Sequence, residues 1–574
     1  MIRLPASLLI GFCTLLGACS PATRTDTARP PRAGQAQGTR GVAATVHPLA
    51  TRAAIDVMKA GGNAVDAAVA AALTLGVVDS HNSGIGGGCF MLIRCADGAL
   101  LAIDGREKAP ATATRDMYVR DGKAVSELSK TGALAIGIPG SLATYDYALG
   151  KCGRRRLAQL LEPAADLAEQ GFAIDATFAQ RLGRTADALA RFPESARVLL
   201  DPDGRPWPQG HVLRQPDLAL TYRRIARQGT SWFYGGAFAQ ATEAWMKNHH
   251  GLVSARDFAD YRIKVRQPVV SRYRDYTVVG FPPSSSGGIH VAQILNILER
   301  FDLRKLDKED RAQRLHVTAE AMKLAFADRA HWVGDPEFVK VPRGLADPDY
   351  AQSLAVRIDR ARSHDVAGHG TPPRAATDYF NHDKHTTHIA TADAEGNWVA
   401  LTTTLNTSFG SKVMIPGTGV LMNNQMDDFS AQPGVPNAFG LVGAEANAVA
   451  GGKRPLSSMS PTLLLRDGEP VLTLGAAGGP TIINQVAGAI VHTIDLDMPL
   501  PQALATPRIH HQWRPNRLLV EAGVSSQLLD QLRAMGHEIS VKPTFGATQA
   551  VGRLPDGRLI AVSDPRIGGS ALGF

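Results

Sequence analysis

Cysteine is scarce in this sequence, with 5 in 574 residues. So few cysteines exclude a small disulfide-built scaffold as the source of stability. Charge of one sign is not in large excess either, because 61 Lys and Arg face 53 Asp and Glu and no basic run dominates. This composition argues against a protein dedicated to nucleic-acid binding. The chain does contain 44% hydrophobic residues and 57 glycines, which is typical of a globular protein with many tight turns.

The N-terminus is interpreted as an export signal. Arg3 precedes a short apolar stretch, and the stretch ends in small residues directly before Cys19. This pattern resembles a bacterial lipobox, which predicts a signal peptide over residues 1–18 and lipidation of Cys19. An ordinary secretory signal cut near Ala18 is the alternative. We therefore expect an exported bacterial protein of the periplasm, held at the membrane only through a lipid anchor.

The segment after the signal is rich in Pro, Thr, Arg, Gly and Gln and lacks periodic apolar residues, so residues 19–40 are predicted to be a flexible tether. No later apolar run is long enough to cross a membrane. Three further cysteines follow. Cys89 and Cys95 share one predicted strand and lie too far apart to bond. A Cys95–Cys152 bond is possible but has no support in the sequence, and buried free thiols are expected for most of the three.

Hydrophobic periodicity divides the remaining chain into helices and hairpins. Helices are predicted over residues 47–60, over 64–78 with Asn63 as the cap, over 157–170 and over 316–330. Paired strands separated by turn residues predict hairpins. The hairpins join residues 89–95 with 99–104, 387–393 with 398–405, 463–466 with 471–475, and 549–553 with 559–564. The mixture indicates antiparallel sheets covered by helices.

Two motifs that could suggest a ligand are given a structural interpretation. The glycine-rich run at 84–88 follows a helix and lacks the Lys-Ser/Thr of a phosphate loop, so it predicts a close backbone approach and not nucleotide binding. His382, His385 and His388 lack carboxylates at supporting spacing, as do His510 and His511. No metal site is predicted.

A set of short motifs, in a fixed order through nearly all of the chain after the signal, resembles the γ-glutamyltranspeptidase (glutathione hydrolase) family of N-terminal-nucleophile hydrolases. Each motif alone is weak, and their joint order is specific. The motifs lie at residues 61–68, 83–88, 105–110, 282–290, 335–336, 386–388, 405–407, 423–430, 454–461, 478–479, 510–513 and 564–566.

The resemblance implies a four-layer αββα sandwich built jointly by two subunits of one autoprocessed chain. The cleavage site would be His385–Thr386, giving a large subunit over residues 41–385 after the tether and a small subunit over 386–574. Thr386 would become an N-terminal nucleophile whose own α-amino group accepts the hydroxyl proton. No metal or organic cofactor is implied.

The resemblance also assigns roles to other residues. The backbone N–H groups of Gly478 and Gly479 would form the oxyanion hole, and Thr404 would orient the nucleophile. The donor's α-carboxylate would bind Arg106, Ser457 and Ser458, and its α-ammonium would bind Asp428 with help from Asn406 and Gln425. Expected substrates are glutathione and other γ-glutamyl compounds, with water, an amino acid or a dipeptide as acceptor.

Two alternatives remain at this point. A glutaryl or cephalosporin-type acylase of the same fold is one, although an acid at position 428 favours donors that carry an ammonium. A processed but inactive binding lipoprotein is the other. The sequence also departs from bacterial relatives: Phe439 stands where a lid tyrosine is common, and Ala477 and Pro480 flank the glycine pair. These departures leave the lid contact and the rigidity of the glycine loop open.

Overall fold

The computed structural model describes residues 34–373 and 387–574. The predicted signal, Cys19, His382, His385 and Thr386 lie outside the described residues.

The strands of the described residues are, in chain order, β1 Gly34–Gly38, β2 Gly41–Thr45, β3 Gly88–Arg94, β4 Leu100–Gly105, β5 Val119–Arg120, β6 Lys123–Ala124, β7 Phe172–Ala173, β8 Val212–Leu213, β9 Lys264–Arg266, β10 Val269–Tyr273, β11 Tyr276–Gly280, β12 Thr387–Asp393, β13 Trp398–Thr404, β14 Thr462–Arg466, β15 Glu469–Ala477, β16 Ile509–His510, β17 Leu518–Glu521, β18 Ile539–Lys542, β19 Ala547–Arg553, β20 Leu559–Ser563 and β21 Ser570–Gly573.

The α-helices are α1 Pro48–Lys59, α2 Ala64–Val78, α3 Glu127–Lys130, α4 Ser141–Cys152, α5 Leu157–Gln170, α6 Ala176–Leu189, α7 Pro193–Leu199, α8 Pro216–Gln228, α9 Ser231–Tyr234, α10 Ala237–Asn248, α11 Ala255–Ala259, α12 Gly287–Leu298, α13 Leu303–Glu309, α14 Arg311–Trp332, α15 Pro348–Ala355, α16 Thr481–Ile494, α17 Leu500–Ala505 and α18 Ser526–Ala534.

Two seven-stranded sheets form the centre of the fold. The first has the order β1-β20-β19-β15-β14-β11-β10, and the second has the order β21-β2-β12-β13-β3-β4-β9. All neighbouring strands in both sheets pair antiparallel. The sheets face each other, because β12 and β13 of the second sheet pack on β15 and β19 of the first. Each sheet contains strands from both sides of the predicted cut, as the shared-subunit prediction requires.

Helices cover the outer face of each sheet. On the second sheet lie α1, α2 and α4, while α12 and α16 lie on the first sheet with α14 behind α12. The central helix α2 is apolar all round and all fifteen of its residues are buried, which suits a helix packed on every side. Its start is fixed by a capping box between Asn63 and Asp66. The four-layer αββα prediction is confirmed, and the predicted helices and hairpins are all present with ends shifted by a few residues.

The predicted tether over residues 19–40 is wrong at its C-terminal end. Residues 34–38 form β1 and pair with β20, from Gly34 opposite Ser563 to Gly38 opposite Leu559. No apolar alternation marks this strand in the sequence, because it lies at the edge of the sheet and its residues are mostly exposed. Its pairing comes from backbone hydrogen bonds, which are not visible in residue type.

The expectation of free thiols is also wrong for two cysteines. Cys95 and Cys152 form a disulfide with a Cα–Cα distance of 6.0 Å, while Cys89 is free and buried. Cys95 lies just after β3 and Cys152 ends α4, two elements in contact in the fold. Their 57-residue separation in sequence hid this proximity. Within the described ranges, no helix is both long enough and apolar enough to cross a membrane.

We predict that Cys152→Ser lowers the melting temperature, because a cross-link over a loop of this length restricts the unfolded chain and typically contributes about 2–4 kcal/mol. Differential scanning calorimetry measures the effect. Peptide mapping without reduction should recover Cys95 and Cys152 as one linked pair and Cys89 as a single alkylated residue. Recovery of all three as alkylated single residues would contradict the disulfide.

Candidate active site

The strand after the predicted cleavage point lies at the centre of the second sheet. β12 is hydrogen-bonded to β2 on one side and to β13 on the other, with Thr387 opposite Thr403. Thr404 ends β13 and is buried, and its Oγ1 accepts a hydrogen bond of 2.8 Å from the backbone N–H of Asn406. Thr386 directly precedes β12 in sequence but is outside the described residues. Its role as nucleophile, and that of Thr404 in orienting it, therefore remain predictions.

The glycine-rich run is a close backbone approach, as predicted. A Cβ on Gly87 would lie 1.8 Å from the carbonyl oxygen of Thr404, and a Cβ on Gly86 would lie 2.0 Å from that of Leu421. Gly88 pairs with Thr404 across the sheet. The glycines thus let the chain pack directly against the end of β13.

A buried carboxyl supports the start of β12, and the sequence analysis did not identify it. The Thr387 hydroxyl donates a 2.6 Å hydrogen bond to Oδ2 of Asp79, and Asn82 donates to Oδ1 at 2.9 Å. A ring nitrogen of His81 lies 3.2 Å from the same Oδ1. The signal available in the sequence was an acidic residue, Asp79, directly after a largely apolar helix.

Burial is the largest influence on the pKa values of Asp79 and His81. It raises the pKa of Asp79 to about 7, against opposing hydrogen bonds from Thr387 and Asn82. Burial together with the positive charge of Arg181 lowers the pKa of His81 to about 3, so the ring is neutral at physiological pH. Asp79 is therefore a group beside the proposed nucleophile strand that titrates near neutrality.

The predicted oxyanion residues form a sharp turn between β15 and α16. Gly478 has φ +131° and Gly479 has φ +61°, values that favour glycine. Pro480 follows with φ −57° and leads directly into the helix, so this departure from relatives fits the turn. A Cβ on Gly475 would lie 2.4 Å from the His388 ring, which shows how closely the end of β15 packs on the start of β12. The turn is thus near the first residues of β12.

The predicted donor-binding charges meet in the structure. Arg106 and Asp428 are both fully buried at their side chains, and Nη2 of the guanidinium lies 2.7 Å from Oδ2 of the carboxylate. Gln425 Nε2 donates to the same oxygen at 2.5 Å. The two ionic residues are 322 positions apart in sequence, so only folding brings them together.

Glu107 is a second functional candidate that the sequence analysis quoted in a motif without giving it a role. Its Oε2 lies 3.4 Å from Nη1 of Arg106, and its Oε1 has no hydrogen-bond partner among the described residues. Burial raises the pKa of Glu107 to about 7 against the attraction of Arg106. Glu107 could have been identified from the sequence, because it directly follows Arg106, a candidate substrate-binding residue.

Three further predicted site residues, Asn406, Ser457 and Ser458, are buried. Asn406, at φ +81°, donates from Nδ2 to the carbonyl of Asn424 at 2.9 Å and is buried. Its Oδ1 and the buried Oγ of Ser458 lack hydrogen-bond partners among the described residues. The Ser457 Oγ accepts from the backbone N–H of Met459 at 3.0 Å. Buried polar atoms without partners are costly, and a bound polar ligand would satisfy them.

The predicted lid is a loop held by backbone contacts. Pro436 bridges Val442, and Gln512 Nε2 donates to the carbonyl oxygens of Phe439 at 3.4 Å and Gly440 at 3.2 Å. These contacts use main-chain atoms, so they do not depend on a hydroxyl at position 439.

The histidines of the sequence analysis are structural where the structure describes them. His388 contacts Thr402 at 2.9 Å, His510 contacts Asn484 at 2.7 Å, and His511 contacts Asn516 at 3.2 Å. A different buried group, His316, Glu320 and His537, has the atom types of a metal site. However, the two rings contact each other at 2.8 Å, and Glu320 pairs with the Lys323 ammonium at 2.7 Å. The nearby cation and the satisfied rings disfavour a bound metal.

The four-layer αββα fold is that of the N-terminal-nucleophile hydrolases. A family model described as Gamma-glutamyltranspeptidase matches residues 50–574. The Glutathione hydrolase proenzyme of Escherichia coli strain K12 is 42% identical over 98% of this chain and 96% of its own length. The Acylase ACY 1 proenzyme of Pseudomonas sp. strain SE83 is 37% identical over 94% of each chain. A solved structure of cephalosporin acylase from Bacillus halodurans superposes with a TM-score of 0.85 at 29% identity, covering 95% of this chain and 98% of that one.

The chain therefore belongs to the γ-glutamyltranspeptidase family, as the sequence motifs indicated.

We predict that Asp79→Asn raises the melting temperature relative to the unaltered protein more at pH 8 than at pH 5. The folded-state pKa of Asp79 lies above its unfolded value, so its contribution to stability is present below about pH 4 and is lost as pH rises toward 7. Asparagine keeps an acceptor for Thr387 and cannot ionise. Calorimetry of both proteins across this range measures the gap, and a gap independent of pH would contradict the raised pKa.

Proposed function

We propose that this protein is a γ-glutamyltransferase and glutathione hydrolase that is activated by cutting its own chain. Its substrates would be glutathione and other γ-glutamyl amides, and the acyl group would pass to water, an amino acid or a dipeptide. The observation that carries the proposal is the buried pair of Arg106 and Asp428. An α-amino acid group bears a carboxylate and an ammonium on one carbon, so it matches two opposite charges held side by side.

Activation would begin at Thr386. Its Oγ attacks the carbonyl carbon of His385, the peptide C–N bond breaks, and the released nitrogen becomes the α-amino group of Thr386. Water then hydrolyses the ester between the two residues and frees the His385 carboxylate. The products are the large subunit ending at His385 and the small subunit 386–574. Because both sheets contain strands from each side of the cut, the two subunits would remain one heterodimer.

Catalysis would reuse the same hydroxyl. The α-amino group, with a reference pKa of about 7.7–8.0, accepts the proton as Oγ attacks the γ-glutamyl carbonyl. The N–H groups of Gly478 and Gly479 stabilise the resulting oxyanion, and the amine leaves with the proton. Water or an amine then attacks the acyl-enzyme and regenerates Thr386. This chemistry uses groups of the chain itself and needs no cofactor.

The alternative donor is the glutaryl group of an acylase. A glutaryl group has the same carbon chain and terminal carboxylate but no α-ammonium. Such a donor would reach Arg106 and leave Asp428 facing no positive charge of the ligand. Burying an ionised carboxylate against an apolar methylene is unfavourable. The position of Asp428 in the pair therefore supports γ-glutamyl donors over glutaryl donors.

Location belongs to the proposal as well. We infer export to the periplasm, with the mature chain attached through lipidated Cys19. The support is the residue pattern of the N-terminus.

We predict that Thr386→Ala abolishes chain cleavage, because alanine has no hydroxyl to attack the preceding carbonyl. Intact mass spectrometry should find two polypeptides in the unaltered protein and one in the variant. Edman sequencing of the lighter polypeptide should begin Thr-Thr-His-Ile. A lighter polypeptide that starts elsewhere, or cleavage that persists in the variant, would refute Thr386 as the nucleophile.

We predict that Arg106→Lys raises the KM for γ-glutamyl-p-nitroanilide at least about tenfold and leaves chain cleavage intact. Lysine keeps the positive charge but loses the two-pronged geometry that binds a carboxylate. Steady-state kinetics on processed protein measure the change. As a control, Arg115→Lys alters an exposed ion pair with Glu445 and should change KM little. Preference for a glutaryl amide over the γ-glutamyl donor would favour the acylase alternative.

A further inference from the structure

A continuous series of buried and part-buried hydrogen bonds runs from Arg508, just before β16, to the Gly478-Gly479 turn. It begins at Arg508, whose Nη2 contacts the Asp564 carboxylate and also donates to Thr548 Oγ1 at 3.2 Å. Thr548 Oγ1 donates to Oε1 of Gln485 at 3.2 Å. The backbone N–H of Thr548 is fixed in turn by Asp564 at 2.7 Å.

This series of hydrogen bonds ends at two carbonyl groups of the turn, those of Ala477 and Gly478. The Gln485 amide donates from Nε2 to the carbonyl oxygen of Ala477 at 2.9 Å and to Thr481 Oγ1 at 2.8 Å. Thr481 Oγ1 then donates to the carbonyl oxygen of Gly478 at 2.7 Å. Every donor in this series points from the guanidinium toward the turn, so each hydroxyl and amide has one consistent orientation.

These two carbonyls determine where the turn's N–H groups point. A trans peptide unit is planar, and its C=O and N–H are directed oppositely. The Ala477 carbonyl shares a peptide unit with the Gly478 N–H, and the Gly478 carbonyl shares one with the Gly479 N–H. Holding the two oxygens therefore fixes the direction of both N–H groups. Glycines at positive φ have many accessible conformations, so such restraint matters more here than elsewhere.

Packing leaves the Gln485 side chain little freedom. A Cβ on Gly546 would lie 2.0 Å from Gln485 Nε2, and a Cβ on Gly478 would lie 3.0 Å from it. Gln485, Thr548 and Asp564 are buried. The amide is thus confined between the turn and the loop before β19.

We propose that Gln485 and Thr481 are positioning residues for the oxyanion hole, aligning the N–H groups of Gly478 and Gly479 through their peptide carbonyls. The inference rests on the proposed function, since it assumes that these N–H groups stabilise the oxyanion. If the two N–H groups point in the wrong direction, they stabilise the oxyanion transition state less. The contacts to the α-amino and α-carboxyl groups of the γ-glutamyl substrate remain. The effect should therefore fall on kcat and not on KM.

The test compares Thr481→Val and Gln485→Met, which keep side-chain size and lose the relevant donors. On processed protein with γ-glutamyl-p-nitroanilide, each should lower kcat about tenfold or more and change KM less than about twofold. Thr481→Ser retains the hydroxyl and should restore kcat to within about twofold. Thr493→Val is the matched control, because Thr493 lies on the same helix and its hydroxyl bonds only locally to Ala489 at 2.8 Å.

The outcomes separate the two proposals. If the unaltered protein is active and processed Thr481→Val keeps its kcat within about twofold, the positioning role is refuted and the proposed function stands. An equal loss in Thr493→Val, or a failure of Thr481→Ser to restore kcat, refutes it as well. If Gln485→Met does not fold, Thr481→Val and Thr481→Ser decide. An unaltered protein that is processed but releases no p-nitroaniline overturns both proposals.

Discussion

The structure depends on the backbone pairing of β12 and β13 at the middle of the second sheet. Strands β2 and β3, which precede them by hundreds of residues, bond to their two outer edges. The hairpin is therefore fixed by main-chain hydrogen bonds on both sides and by packing against β15 and β19 on one face. The proposed cut directly before β12 would require such restraint, because the new chain end would have to stay in place without a covalent neighbour.

Around this rigid centre the protein buries ionisable groups that would be costly alone. Arg106 lies beside both Asp428 and Glu107, and Asp79 accepts bonds from Thr387 and Asn82. Breaking one partner of a buried pair leaves an uncompensated charge, so these groups tie the geometry of the site to its electrostatics. Burial raises the pKa values of Asp79 and Glu107 to about 7, against the hydrogen bonds and charges that oppose it. Site geometry and pH response are thus consequences of one packing arrangement.

Neither the family relationship nor the fold determines which acyl donor is used, so the choice depends on the residues of the site. Relatives of similar identity are named as glutathione hydrolase and as acylase, and an acylase shares the fold closely. Proteins with the same fold can use different substrates, because the reaction depends on a few side chains of the site. In this chain the proposed determinant of the donor is the charge of Asp428, which lies opposite Arg106.

Local residue patterns and motif order were enough to predict the helices, the hairpins and the family. Helix α2 could be predicted to its ends because Asn63 caps it and its residues are mostly apolar, and the hairpins followed from alternation and turn residues. Motif order was enough to select the candidate site residues Arg106, Asp428 and Gly478. Tertiary structure alone decided the Cys95–Cys152 bond, the pairing of β1, the Asp79–Thr387 contact and the chain from Arg508 to Gln485. Each joins residues distant in sequence or depends on main-chain atoms, and residue type carries no record of which groups folding brings together.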